Sequence, residues 1–162
     1  MATYRKVKGE KASLLMPGKM YFYKYEAFDT EYYNKFPLIF LLRKRGDSFE
    51  GIDFHYLFPL QRILLYNRMK SFFSTPEITE DTILQTVGFR KIIHKSKRFK
   101  AASIIFKKYK RKNIRSKIIE INPNDWLSMI KRPVEKFIVR LEEKKLISRL
   151  VWKKSLKLQR KR

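Results

Sequence analysis

The chain has 162 residues, no cysteine, and 39 Lys and Arg against 15 Asp and Glu, a formal net charge of +24. That length gives one domain around a single core, and the lack of thiols excludes a disulfide framework, a thiolate zinc site and a cysteine nucleophile. No run approaches the roughly 20 apolar residues of a membrane span, and the basic N-terminus lacks a signal peptide's apolar core, so a soluble, unsecreted protein with no membrane partner is expected.

The first sixteen residues alternate charged and small side chains without a period and read as a flexible basic arm, ended by Pro17-Gly18. Residues 17–145 read as one α+β domain and residues 146–162 as a basic C-terminal tail. Met20 to Ala27 has the two-residue period of a strand, with Tyr21, Tyr23 and Tyr25 on one side. A polar loop, Phe28 to Lys35, follows. Phe36–Leu42 and Phe49–Leu57 read as paired strands, joined by a tight turn at Arg45, Gly46, Asp47 and Ser48. Pro59 closes the second strand and opens a helix through Leu60 to Phe73, apolar around most of its circumference and expected to be centrally buried. Ser74 caps a further helix with Ile83, Leu84 and Val87 as its inward stripe.

Residues 1–60 hold ten basic side chains against seven acidic ones, so most of the charge lies further on. Gly88 to Lys117 contains no Asp or Glu. Charge so concentrated opposes compaction unless a polyanion is present, and points to nucleic acid or an acidic surface as partner. Within this stretch Phe99, Ala102, Ile105, Phe106 and Tyr109 recur at three- and four-residue spacing, predicting a helix that carries Lys97, Lys100, Lys107, Lys108 and Arg111 as an outward cationic ridge. Ile114–Ile121 reads as a strand returning to the sheet. Asn122-Pro123 starts a short helix with Trp126 as a core plug, and Val134, Phe137, Ile138 and Leu141 form a later inward stripe. The acid-free tail, with Arg149, Lys153, Lys154 and Lys157, is expected to order on a partner.

The fold class expected is α+β: a small twisted antiparallel sheet from Met20–Ala27, Phe36–Leu42, Phe49–Leu57 and Ile114–Ile121, with curling toward a barrel as a variant, covered by four or five helices. Chemistry is poorly supplied. His55, between Phe54 and Tyr56 on a strand, reads as a hydrogen-bonded packing residue rather than a base, and His94 is the only other histidine. Asp47, Glu50 and Asp53 are the best nuclease candidates, yet neither Glu50 nor Asp53 has the lysine two residues on that a metal nuclease usually adds. The five glycines form no phosphate loop. No enzyme activity, catalytic residue, metal or cofactor is expected.

The reading is therefore non-enzymatic, largely sequence-independent binding of DNA, or of RNA, which charge alone does not separate. The candidate contacts are Arg90, Lys91, Lys97, Lys100, Lys107, Lys108, Lys110, Arg111, Lys112 and Arg115, with Lys153 and Lys154 as an auxiliary clamp. The alternative is a structural assembly component that docks an acidic protein surface through its basic face, with Tyr21, Tyr23, Tyr25 and Trp152 as interface anchors. Oligomeric state is left open.

PGKMYFYKYEA at Pro17–Ala27, YYNKFPLIFLL with GDSFEGIDFHYLFP between Tyr32 and Pro59, SKIIEINPNDW at Ser116–Trp126 and VWKKS at Val151–Ser155 resemble a family of small basic proteins of contractile-tailed bacteriophages, marine and cyanobacterial ones especially. The resemblance covers most of the chain and links it to the DNA-end-protecting proteins of such phages. It implies a place in the infected host cytoplasm or the virion, where DNA is the natural polyanion, and gives the alternative the form of a virion assembly component of neck, tail or baseplate that docks phage proteins; it carries over no catalytic residue.

Overall fold

The computed structural model describes residues 7–70, 102–140 and 144–160. In chain order its strands are β1 (Glu10–Lys11), β2 (Met20–Phe22), β3 (Tyr32–Asn34), β4 (Leu38–Arg45), β5 (Ser48–Asp53), β6 (Phe106–Lys110), β7 (Ile119–Ile121), β8 (Phe137–Val139) and β9 (Lys144–Leu146). Its helices are α1 (Pro59–Lys70), the single turn α2 (Ala102–Ile105), α3 (Trp126–Lys131) and α4 (Ser148–Arg160). Six strands form one sheet in the order β1-β7-β2-β4-β5-β6, and three form a second in the order β3-β8-β9. These pairings are antiparallel.

The β4–β5 hairpin forms where the apolar runs and turn residues predict it. Gly46 takes a left-handed φ of +53°, which glycine adopts without steric cost, and Ser48 Oγ donates to the Arg45 carbonyl at 3.0 Å. Gly51 answers a different need: a Cβ there would stand 2.9 Å from the Phe40 carbonyl oxygen, so a side chain would push the neighbouring strand away. A register shift between Leu41 and Arg43 then sets Arg43 opposite Glu50.

Strand alternation sorts the core into two layers. Met20, Phe22, Leu38, Phe40, Ile52 and Ile121 face Leu65, Met69, Met129, Ile130 and Val151 of the helices. The other side of the sheet carries Tyr21, Tyr23, Ile39, Leu41, Phe49 and Tyr109, closed over by Leu15. Each such side chain contributes about 1.5–3 kcal/mol on burial. Because both faces are covered, β4 begins as an unbroken apolar run instead of an alternating one.

The mixed α and β architecture with antiparallel sheets agrees with expectation; the details differ. The sheet does not close into a barrel. Among the described residues three helices have six residues or more, where four or five were expected, and the helix expected after Ser74 lies outside those residues. Of the predicted cationic helix, the part before Ala102 lies outside the described residues, Ala102–Ile105 is the single turn α2, and Phe106–Lys110 is instead a strand whose main chain completes the edge of β5. Helix α1 is not central: Leu60 and Leu64 are 68% and 43% exposed, and its buried face holds Arg62 beside Leu65 and Met69. Leu57 and His55 carbonyls accept from the Arg62 guanidinium at 2.9 and 3.4 Å, which makes that burial tolerable. Trp126 does plug the core, stacking edge-on against Phe40 and donating to the Ile121 carbonyl at 2.9 Å.

Both ends of the chain acquire structure that composition did not signal. Glu10–Lys11, in the expected arm, adds an edge strand to β7. The expected basic tail is largely helix α4, because Val151 and Ser155 give it a buried face, and Trp152 Nε1 donates to the His55 carbonyl at 2.7 Å. Tyr21 and Tyr23 are fully buried and Tyr25 nearly so, while Trp152 is committed to His55, so these four are not the outward interface anchors expected.

Candidate nucleic-acid interface

Strand register assembles cationic residues at the tip of the hairpin. Lys110 lies opposite Ser48 and Lys108 opposite Glu50, and the Arg111 amide donates to the Asp47 carbonyl at 2.9 Å. Lys108, Lys110, Arg111 and Lys112 are thereby brought beside the turn that carries Lys44 and Arg45. All six side chains are exposed. Local carboxylates hold only part of this group: Lys110 Nζ lies 2.7 Å from Asp29, and Arg115 Nε 2.9 Å from Glu26. Lys44, Arg45, Lys108, Arg111 and Lys112 form no ion pair among the described residues. Such a surface offers directional N–H donors and uncompensated charge, which phosphate oxygens satisfy without reference to base sequence.

Of the twelve residues expected to grip the partner, Arg90, Lys91, Lys97 and Lys100 lie outside the described residues. Lys107 points inward. Its ammonium sits 4.1 Å from the centre of the Tyr56 ring, and lost hydration lowers its pKa against the pull of Asp53. Lys108, Lys110, Arg111, Lys112 and Arg115 are together at the tip. Lys153 and Lys154 sit apart from them, exposed on α4, with Lys154 Nζ 4.9 Å from the Tyr32 ring centre. Helix α4 docks near His55, at the opposite end of β5 from the turn, so the two groups are separated by roughly 20 Å, the span of a six-residue strand.

The acidic residues of the hairpin do not converge. Asp47 is exposed in the turn, Glu50 accepts from Arg43, and Asp53 is fully buried. Asp53 instead anchors a polar knot. Its carboxylate accepts from Tyr109 Oη at 2.9 Å, Asn34 Nδ2 at 3.1 Å and the His55 amide at 3.0 Å, and Asn34 Nδ2 also meets His55 Nδ1 at 2.8 Å. Lost hydration pushes the Asp53 pKa up to about 6 against these hydrogen bonds, while burial keeps His55 well below its ordinary value. Among the described residues no group of three or more His, Asp and Glu could hold a metal ion, and no helix is long and apolar enough to cross a membrane.

Sequence reading missed Lys44, which lay between the predicted strand and turn, and Arg45, which it gave to the turn. The acid-free run drew attention to residues after Gly88, whereas the tip joins that run to the hairpin. Only strand register reveals the union.

A basic two-sheet α+β protein with an exposed cationic hairpin tip is the class these features define. Residues 2–155 match the family of the phage T4 terminal DNA protecting protein, and the chain belongs to that family. No curated protein and no solved structure matches it.

Proposed function

We propose that this chain is a non-enzymatic, largely sequence-independent DNA-binding protein of a tailed phage that shields DNA ends, acting in the host cytoplasm or the virion. The observation that carries the reading is the group of five exposed cations at the hairpin tip, Lys44, Arg45, Lys108, Arg111 and Lys112, which form no ion pair among the described residues. Family membership supplies the class of partner: the family's name is that of a protein protecting terminal DNA. Lys110 and Arg115 flank the group, and Lys153 and Lys154 extend the basic surface toward the other end of β5. End shielding then follows from occupancy, because a protein seated on the last base pairs excludes other proteins from them.

Neutralising about five phosphates gives a log–log salt slope near −4.5 for duplex DNA. A titration of binding to linear duplex between 50 and 200 mM salt should therefore lose affinity by a factor on the order of 500. Replacing Arg45, Lys108, Arg111 and Lys112 with Glu should abolish the duplex shift and leave the melting temperature nearly unchanged, since all four are exposed. A flat salt dependence, or unchanged binding by the quadruple variant, overturns the reading. Retention on phage particles without any DNA shift would favour the virion assembly alternative.

A further inference from the structure

The small sheet alternates cleanly between its faces. Asn34 and Phe137 are buried and Tyr32 and Leu146 pack on the core, so the intervening positions Tyr33, Lys35, Lys136, Ile138 and Lys145 fall on the opposite face. Register continues past Asn34–Phe137 to set Lys35 beside Lys136, whose carbonyl accepts from the Lys35 amide at 2.7 Å. Lys145 pairs with Ile138, one diagonal step from Lys136. Lys24 joins them through its neighbour, since the Tyr25 amide donates to the Lys35 carbonyl at 2.9 Å. None of these four lysines is ion-paired among the described residues. Lost hydration, then repulsion from Lys35, Lys145 and Lys24, lowers the pKa of Lys136.

Like charges set opposite one another on a sheet are destabilising, so folding maintains a local field that one well-placed anion would relieve. We infer that the Lys24, Lys35, Lys136 and Lys145 cluster receives the 5′-terminal phosphate of a DNA strand, which rests on the DNA binding proposed above. Shape favours a terminus over a run of backbone. Opposed side chains on paired strands start about 5 Å apart at Cβ, so register groups these lysines around one spot instead of stringing them along a line of several phosphates. Charge favours it as well. A terminal monoester approaches two negative charges at neutral pH and offers three acceptor oxygens, where a backbone diester carries one charge. The Lys24 carbonyl accepts from the Arg115 amide at 2.8 Å, so one backbone segment links the cluster to the hairpin tip.

The test uses the full chain and three DNAs of equal length: linear duplex with 5′-phosphates, the same duplex with 5′-hydroxyls, and a covalently closed circle. Wild type should bind the phosphorylated ends about tenfold more tightly than the hydroxyl ends, the effect of one additional charge-assisted hydrogen bond. Lys35→Gln with Lys136→Gln should remove that preference and leave binding to the circle as it was. Lys145→Gln, exposed on an edge strand, gives a variant that folds even if the pair does not, and should reduce the preference. Equal affinity of wild type for both linear duplexes overturns the terminal-phosphate site alone, as does a full preference retained by the variants. Failure of wild type to bind any of the three overturns the DNA reading beneath it.

Discussion

The two ends of the β5–β6 pair treat charge in opposite ways. At the Asp53 end the ionisable groups are buried, and carboxylate, phenol, amide and imidazole meet one another at hydrogen-bond distance. At the Ser48 end, a few residues away on the same strands, five cations stand in solvent with no ion pair among the described residues. A buried polar atom costs about 1–3 kcal/mol when left unpaired, so the interior end pairs most of its polar atoms with one another, His55 Nε2 being left without a partner among the described residues. An exposed cation is satisfied by water and stays available to an external anion. On the function proposed above, folding stability and DNA affinity lie at opposite ends of one ladder, and each should respond to changes that leave the other alone.

The sharpest way to separate them is by pH. Folded Asp53, with its pKa up to about 6, keeps a proton that the unfolded chain has released above about pH 4. Its contribution is therefore complete below the unfolded pKa and disappears as pH rises through about 6. His55 works the other way: burial, then the nearby Arg62, keeps it neutral in the fold, so the unfolded chain gains a proton as pH falls below about 6.5 and stability drops. Between about pH 4 and 6 the two slopes oppose one another. His55→Gln removes one of them. The variant's own stability should fall by roughly 2–3 kcal/mol as pH rises from 4 to 7, the linkage of Asp53 alone with its pKa up to about 6, read from urea unfolding across that range. A variant profile that stays flat over the same range would show that Asp53 is not proton-linked to folding.

A smaller change tests the same end by geometry. Tyr109→Phe keeps the ring contacts with Phe49 and Tyr25 but removes the hydroxyl that Asp53 accepts from. The loss should be about 1–3 kcal/mol in urea unfolding, with duplex affinity unchanged. Weakened DNA binding at unaltered stability would break the division between the two ends.

How much of this was legible depends on how far apart the partners lie in the chain. The hairpin was legible because its apolar runs and its Gly46-Asp47 turn are contiguous. The basic belt was legible because thirty residues without an acid are visible in any order. Its direction was not: three- and four-residue spacing from Phe99 to Tyr109 suits a helix, and only the open edge of β5, more than fifty positions earlier, makes Phe106–Lys110 a strand. That change turned Lys107 inward and Lys108 outward. The polar knot joins Asn34, Asp53 and Tyr109 across 19 and 56 positions, so no local pattern announces it. Lys35 and Lys136 meet across a hundred residues, and each reads alone as an ordinary solvated lysine.

The mildest test concerns the carboxylates that already occupy part of the tip. Asp29 holds Lys110 at 2.7 Å, both side chains about half exposed, and the hydrogen bond from Lys110 is the main reason its own pKa is lowered. A pair so exposed adds little to folding, because water screens the attraction and ordering two long side chains opposes it. What it does is subtract one positive charge from the surface that would meet DNA. Asp29→Asn should therefore leave the melting temperature where it was and raise duplex affinity a few-fold at low salt, the gain fading as salt screens the released ammonium. A fall in affinity would reverse the assignment: Asp29 would then be holding Lys110 in position for a phosphate, and the tip would depend on order within its cations as well as on their number.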